Sequence, residues 1–124
     1  MRYALIGCGR ISPNHIVAAK SNHLQFAAIC DIDENMLEEK AEKFDLRHVH
    51  QYKDYYKMLE KEQPELVSIA TESGKHARIA LDCISAGCNV IIEKPIALSL
   101  ADANTIIWAA KEKRVKVCTS HQNR

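Results

Sequence analysis

The sequence predicts an α/β fold, a doubly wound and mainly parallel six-stranded sheet with helices on both faces. Short β-rich apolar runs alternate with longer segments of helical period along all 124 residues. The first apolar run ends at a glycine-containing turn that leads directly into a predicted helix. A hydrophobic content of 47%, with four Gly and three Pro, is typical of one folded domain. We therefore assign residues 1–124 to a single domain.

Six apolar runs have the length and composition of strands. They are residues 3–6, 25–30, 48–51, 66–70, 89–92 and 115–119. Between them lie five segments of helical period, whose ends carry specific signals. Ser12 followed by Pro13 predicts an N-cap and first turn, and Asp33 and Asp54 predict the caps of the next two helices.

The last two helices are predicted by their apolar faces. Gly87 is placed as the glycine that ends the fourth helix, and Ser99 with Asp102 forms a capping-box-like pair before the fifth. Trp108 falls off the apolar stripe of the fifth helix and is expected to be partly exposed. The inward positions expected for the fifth helix are Ala103, Ile106, Ile107 and Ala110.

Charge and cysteine content limit the classes of partner. Seventeen Lys and Arg against sixteen Asp and Glu leave a net charge of +1, which gives no electrostatic support for binding nucleic acid or an anionic membrane. The apolar N-terminus is too short for a signal peptide or a membrane span. Five cysteines without a Cys-x-x-Cys spacing indicate reduced, mostly buried thiols and a cytoplasmic protein.

The turn after the first strand has the composition of a phosphate-binding loop. Gly7 and Gly9 form a Gly-x-Gly pair that precedes the helix beginning near Ser12, and backbone amides at such a turn bind phosphate. Ser12 stands where the dinucleotide fingerprint has a third Gly or Ala. Asp31 ends the second strand, where a carboxylate accepts the adenosine ribose hydroxyls and repels a 2′-phosphate. This arrangement favours NAD over NADP.

Further polar residues follow the fourth and fifth strands, at the edge where ligands of parallel sheets bind. Thr71 and His76 follow the fourth strand, and Glu93 and Lys94 follow the fifth. Lys94 is placed for acid-base work at the nicotinamide end. His76 is as well suited to capping or packing as to ligand binding, and His15 on the first helix is expected to be structural.

The chain closes with a polar cluster after the sixth strand. Its members are His121, Gln122, Asn123 and Arg124, which offer hydrogen bonds and one positive charge to an anionic substrate. A solvated tail is the alternative. His48 and His50 alternate on the predicted third strand, but nothing supplies further ligands, so no metal site is expected.

Together these motifs resemble the glucose-fructose oxidoreductase and inositol dehydrogenase family of NAD(P)-dependent oxidoreductases. The motifs are Gly7-Cys8-Gly9-Arg10-Ile11, Asp31, Ala70-Thr71, Glu93-Lys94-Pro95 and His121-Gln122-Asn123-Arg124. Within that family, the opening motif and the Gln-Asn-Arg run look most like the UDP-N-acetylglucosaminuronate 3-dehydrogenases of surface-polysaccharide biosynthesis.

The resemblance implies a Rossmann-type NAD(P)-binding domain of a two-domain enzyme, without the C-terminal substrate domain. It implies that Lys94 is catalytic and that Lys94, Gln122, Asn123 and Arg124 bind substrate. The cofactor-binding residues that it implies are Gly7, Gly9, Arg10, Ile11, Asp31, Thr71, His76, Glu93 and Lys94. Thr71-Glu72-Ser73 departs from the usual Thr-Pro and adds a carboxylate near the nicotinamide.

The expected function is hydride transfer between NAD and a sugar carbinol, with a nucleotide sugar such as UDP-N-acetylglucosaminuronate as the substrate. Because the family's second catalytic group comes from the other domain, the isolated chain is expected to be inactive. An apolar surface left by that domain is expected to drive self-association into a homo-oligomer. The alternatives are a non-catalytic dinucleotide-binding or interaction module, and a nucleoside-binding domain of another class.

Overall fold

The structure is a computed structural model that describes residues 1–93, 97 and 99–120. Strands and helices alternate along these residues. The strands are β1 (Arg2–Ile6), β2 (Gln25–Cys30), β3 (His50–Tyr52), β4 (Leu66–Ile69), β5 (Asn89–Glu93) and β6 (Val117–Ser120). The helices are α1 (Ser12–Ser21), α2 (Glu34–Lys43), α3 (Tyr55–Glu62), α4 (His76–Ser85) and α5 (Leu100–Lys113).

The strands form one parallel sheet with the order β3-β2-β1-β4-β5-β6. The chain first builds outward from β1 to β3 and then returns to the other side of β1 with β4. This reversal between β1 and β4 is the switch point beside which doubly wound sheets bind ligands. The predicted fold class is confirmed.

The core lies in two layers because successive residues of a strand point to opposite faces of the sheet. Leu5 of β1 packs with Ile16 of α1 and Leu37 of α2. Its neighbour Ile6 belongs to the opposite layer, which includes residues of α3, α4 and α5. The sheet is therefore covered by helices on both faces, and its carboxyl edge is left to carry the site.

The ends of the helices show which local sequence signals were sufficient to predict a cap. The side chains of Asp33, Asp54 and Ser99 accept hydrogen bonds from the first-turn amides of α2, α3 and α5, as predicted. Gly87 follows the end of α4 with φ of +87°, which confirms its assignment as the terminating glycine. These caps depend only on neighbouring residues, so the sequence alone is enough to locate them.

The prediction that Ser12 caps the first helix is wrong. Ile11 occupies the N-cap position, and Ser12 is the first helical residue, followed by Pro13. The Ser12 hydroxyl donates a 2.7 Å hydrogen bond to the Gly9 carbonyl instead of accepting one from the helix. Ser12 therefore closes the glycine turn.

Three other predicted positions also differ. The Val49 amide bonds to the Leu46 carbonyl and closes a turn that contains His48, so β3 begins only at His50. The Val115 amide bonds back to Ala110 at the end of α5, which delays β6 to Val117. Ile107 is 45% exposed because α5 buries only a narrow stripe at Ile106 and Ala110, whereas Trp108 is exposed as expected.

Candidate functional site

The turn after β1 depends on Gly7 for two separate reasons. Its φ is +100°, a conformation that residues with a side chain rarely adopt. A Cβ at this position would also lie 2.7 Å from the Ala70 backbone at the end of β4. Gly7 therefore lets the ends of β1 and β4 approach each other at the switch point.

Gly9 has a different environment. A Cβ built on it would meet no atom of the described residues within 4 Å, so the space above it is open. No side chain caps the start of α1, but the Ser12 and Asn14 amides there bond to the carbonyls of Gly9 and Ile11, and Pro13 has no N–H. The amides of Arg10 and Ile11 make no hydrogen bond within the described residues. Such amides beside a glycine, at the start of a helix, are suited to an anionic group that must approach the backbone closely. These features fit the pyrophosphate of a dinucleotide.

Asp31 lies just after β2 and is already held in place by the backbone. Its two carboxylate oxygens accept hydrogen bonds from the amides of Cys8 (2.7 Å) and Asp33 (2.8 Å). A carboxylate has about four acceptor positions, so it retains capacity for two hydroxyl groups. The contact to Cys8 joins the predicted ribose-binding residue directly to the glycine turn.

Most of the predicted cofactor residues line one cleft at the carboxyl edge of the sheet, with a volume of about 560 Å³. These residues are Gly7, Gly9, Arg10, Ile11, Asp31 and Thr71. The sequence reasoning missed Ile32, Lys53, Tyr55 and Lys75, which also line it. Lys53 and Tyr55 flank the Asp54 cap after β3. The rule that ligands bind beyond the carboxyl ends of strands, applied to β3, would have found them.

His76 lies behind the loop that follows β4. The residue is buried, and one of its ring nitrogens lies 2.9 Å from the Thr71 carbonyl oxygen. The Lys75 amide bonds to the Glu72 carbonyl and tightens the same loop. His76 therefore supports the backbone around Thr71, while its direct contact with a cofactor stays a prediction.

Glu93, at the end of β5, is buried with 2% of its surface exposed. Its Oε1 lies 2.6 Å from Nε2 of His15, which is also buried. The contact is short but lacks the alignment of a hydrogen bond, and neither Glu93 oxygen has a hydrogen-bond partner among the described residues. Burial lowers the pKa of His15, while Glu93 opposes that shift.

The cysteines near the cleft have no nucleophilic character. Burial, followed by the nearby Asp31 carboxylate, raises the pKa of the Cys8 thiol to about 12, and the same two causes raise that of Cys30 to about 12. Such thiols stay protonated at neutral pH. Four of the five free cysteines are buried and Cys118 is exposed, which confirms the expected burial.

Several predicted residues lie outside the described residues, so their roles stay predictions. They are Lys94, His121, Gln122, Asn123 and Arg124. Within the described residues, no group of three or more His, Cys, Asp or Glu side chains is arranged to hold a metal ion. His50 contacts Glu62 at 2.6 Å instead. Over the same part of the chain, no helix is long and apolar enough to cross a membrane.

Known proteins are similar to this chain in sequence and in fold. D-apiose dehydrogenase from Paraburkholderia graminis is 35% identical over 97% of this chain and 32% of its own length. Myo-inositol 2-dehydrogenase from Thermotoga maritima is 30% identical over 100% of this chain and 37% of its own length. The chain therefore spans about a third of the length of the curated relatives it matches.

A solved structure of a dehydrogenase is also similar to this chain. The WlbA dehydrogenase from Chromobacterium violaceum, in complex with NADH and UDP-GlcNAcA, superimposes with a TM-score of 0.90 at 30% identity, covering 100% of this chain and 36% of that one. The model of the oxidoreductase family with an NAD-binding Rossmann fold matches residues 1–121. The chain therefore belongs to that oxidoreductase family, the glucose-fructose oxidoreductase and inositol dehydrogenase family that its motifs resemble.

Proposed function

We propose that the chain binds NAD in preference to NADP and is the cofactor-binding part of an enzyme that oxidises or reduces a sugar carbinol. The observation that carries the proposal is the cleft lined by Gly7, Gly9, Asp31 and Thr71. The names of D-apiose dehydrogenase and myo-inositol 2-dehydrogenase support a sugar or polyol substrate. The relative that holds UDP-GlcNAcA supports a nucleotide sugar such as UDP-N-acetylglucosaminuronate.

Each residue group has a distinct task in this proposal. NAD, when bound, supplies the hydride acceptor. The open backbone at Gly9 and the amides of Arg10 and Ile11 bind the pyrophosphate at the N-terminus of α1, with the exposed Arg10 side chain at the same turn. Asp31 accepts the adenosine ribose hydroxyls. Lys94 moves the substrate hydroxyl proton at its Nζ, and Gln122, Asn123 and Arg124 bind the substrate.

Four further expectations belong to this proposal. The chain covers about a third of its curated relatives, and we propose that turnover needs catalytic groups outside residues 1–124. We therefore expect no sugar oxidation by the isolated chain. We also propose that the chain acts in the cytoplasm and associates with copies of itself.

Calorimetric titration of the chain with NAD and NADP tests the cofactor assignment. Asp31→Asn keeps an oxygen that accepts the Cys8 amide but removes the negative charge that repels a 2′-phosphate. We expect the native chain to prefer NAD, and Asp31→Asn to reduce the NAD-to-NADP affinity ratio by about tenfold. The ratio is the diagnostic quantity because general damage to the turn weakens both nucleotides equally.

Asp45→Asn is the matched control for this titration. Asp45 is exposed and has φ of +57°, which Asn tolerates well, and it does not line the cleft. This variant should bind both nucleotides like the native chain. An unchanged affinity ratio in Asp31→Asn would contradict the role of Asp31, and no binding of either nucleotide by the native chain would contradict the whole proposal.

A further inference from the structure

The contact between His15 and Glu93 joins two elements, α1 and β5, that meet near the carboxyl edge of the sheet. His15 lies on α1, the helix that starts at the glycine turn, and Glu93 ends β5. In the sheet order, β5 is separated from β1 by β4. The contact therefore reaches from the pyrophosphate end of the proposed site to the strand that leads into Lys94.

Burial of this pair is costly, because both side chains are removed from water and their contact is poorly aligned. Glu93 and His15 are both buried, and both Glu93 oxygens lack an aligned donor among the described residues. Apolar side chains of similar volume at such positions are often neutral or stabilising, because they avoid the desolvation of the charged groups. A buried ionisable pair at a ligand-binding edge is typical of a functional site.

We propose that His15 is a positioning residue whose Nε2 holds the Glu93 carboxylate and thereby fixes the end of β5 against α1 for the nicotinamide half of the cofactor. This inference rests on the proposed function. Glu93 stands at the carboxyl end of β5, where the nicotinamide end of the site is expected, and is joined to Lys94 by a peptide bond. Losing the contact should therefore affect nicotinamide binding while leaving the adenosine and pyrophosphate contacts intact.

Two substitutions of His15 distinguish loss of the contact with Glu93 from loss of the histidine ring. The amide nitrogen of an asparagine side chain corresponds to the nearer ring nitrogen of histidine and stops short of Glu93, whereas that of a glutamine side chain reaches about as far as Nε2. We therefore compare His15→Asn with His15→Gln. Val17→Leu on α1 is the control, because Val17 is 55% exposed and lies away from the buried pair.

Titrations with NADH and with ADP, which lacks the nicotinamide half, give the test. We expect His15→Asn to weaken NADH binding about tenfold and to leave ADP binding unchanged. His15→Gln should bind NADH with native affinity, and Val17→Leu should change the affinity for neither ligand. Adding Glu93→Gln to His15→Asn should cause no further loss, because the two side chains act as one unit.

Each other result overturns the inference. Unchanged NADH binding in His15→Asn removes the positioning role, and a parallel loss of NADH and ADP affinity assigns His15 a purely structural role. If thermal unfolding shows that His15→Asn does not fold, His15→Leu is measured in its place with the same criteria. If the native chain binds ADP or NADH and His15→Asn binds both with native affinity, this inference alone is overturned. If the native chain binds neither nucleotide, the proposed function is overturned as well.

Discussion

Gly7 and Gly9 stand two residues apart in the sequence, yet they are glycines for opposite reasons. Gly7 is constrained by the protein itself, through its positive φ and the Ala70 backbone. Gly9 meets no atom of the described chain that a Cβ would touch, so its missing side chain matters only for what enters the cleft. This difference separates folding from binding at neighbouring positions.

Gly7→Ala and Gly9→Ala should therefore have opposite profiles. We expect Gly7→Ala to lower the free energy of unfolding by at least about 2 kcal/mol, because a strained φ and a backbone clash add. Gly9→Ala should change it by no more than about 0.5 kcal/mol while weakening NAD binding. Urea unfolding and NAD titration of both variants measure these quantities.

Gly87→Ala is the control for the φ contribution alone, since Gly87 has φ of +87° but a Cβ there would meet no described atom within 4 Å. We expect it to lose about 1 kcal/mol of stability. A Gly7→Ala loss no larger than this would show that the Ala70 contact does not constrain the turn. Normal NAD binding by Gly9→Ala would show that nothing approaches this backbone.

At the scale of elements, Glu62 at the end of α3 ties together three segments of the chain. Its carboxylate accepts hydrogen bonds from Arg2 of β1 and Tyr52 of β3 and lies 2.6 Å from the His50 ring. Burial favours the protonated form, but the bonds from Tyr52, His50 and Arg2 outweigh it and hold the pKa of Glu62 below its usual value of 4.5. The hydrogen bond to Glu62 raises the pKa of the Tyr52 hydroxyl to about 12, so Tyr52 remains a hydrogen-bond donor at neutral pH.

Stability should therefore depend on pH through Glu62. Because its pKa is lower in the folded chain, its stabilisation is complete above the unfolded value and disappears as pH falls through the folded value. We expect Glu62→Gln to reduce the free energy of unfolding by about 1 to 3 kcal/mol at neutral pH, with the difference shrinking below the usual value of 4.5.

Denaturant unfolding of the native chain and of Glu62→Gln across this pH range measures the effect. Glu60→Gln makes the same substitution at an exposed site on α3 and should behave like the native chain. A difference between the native chain and Glu62→Gln that is constant with pH would mean that Glu62 stabilises α3 by shape alone.

At the scale of the whole molecule, the sequence was sufficient for several features that neighbouring residues decide. The caps at Asp33, Asp54 and Ser99 and the alternation of strands and helices are of this kind. The contact between His15 and Glu93 joins residues far apart in the chain, and nothing near His15 indicates it. The bond from Ser12 to Gly9 is local, but it depends on the backbone geometry of the turn, which the residue types alone do not give. The predicted burial of Ile107 was wrong because the helical period identifies the apolar face of α5 but not how much of that face packs against the rest of the domain.

The exposed surface of α5 leads to a prediction about assembly. Leu100 (77% exposed), Ile107 (45%) and Trp108 (66%) lie on one side of the helix. An apolar stripe of this kind favours contact between copies of the chain. We expect the average mass from light scattering to rise with concentration, and Trp108→Glu to suppress the rise.

Val17→Glu is the matched control for this assembly test, because it places the same charge on an exposed apolar position of α1. It should associate like the native chain. A monomeric mass at all concentrations would contradict self-association, and equal suppression by both variants would show that the added charge, not the α5 surface, controls it.

Asp31 has one more consequence, for attempts to redesign cofactor choice. Its carboxylate is both the proposed ribose acceptor and the acceptor for the Cys8 amide. A small or cationic residue at position 31 would accommodate a 2′-phosphate, but it would also leave the Cys8 amide without its hydrogen-bond acceptor. A chain converted to NADP therefore needs two changes, a donor for the phosphate and a replacement acceptor for the turn, and the single substitution should yield a poor binder of both nucleotides.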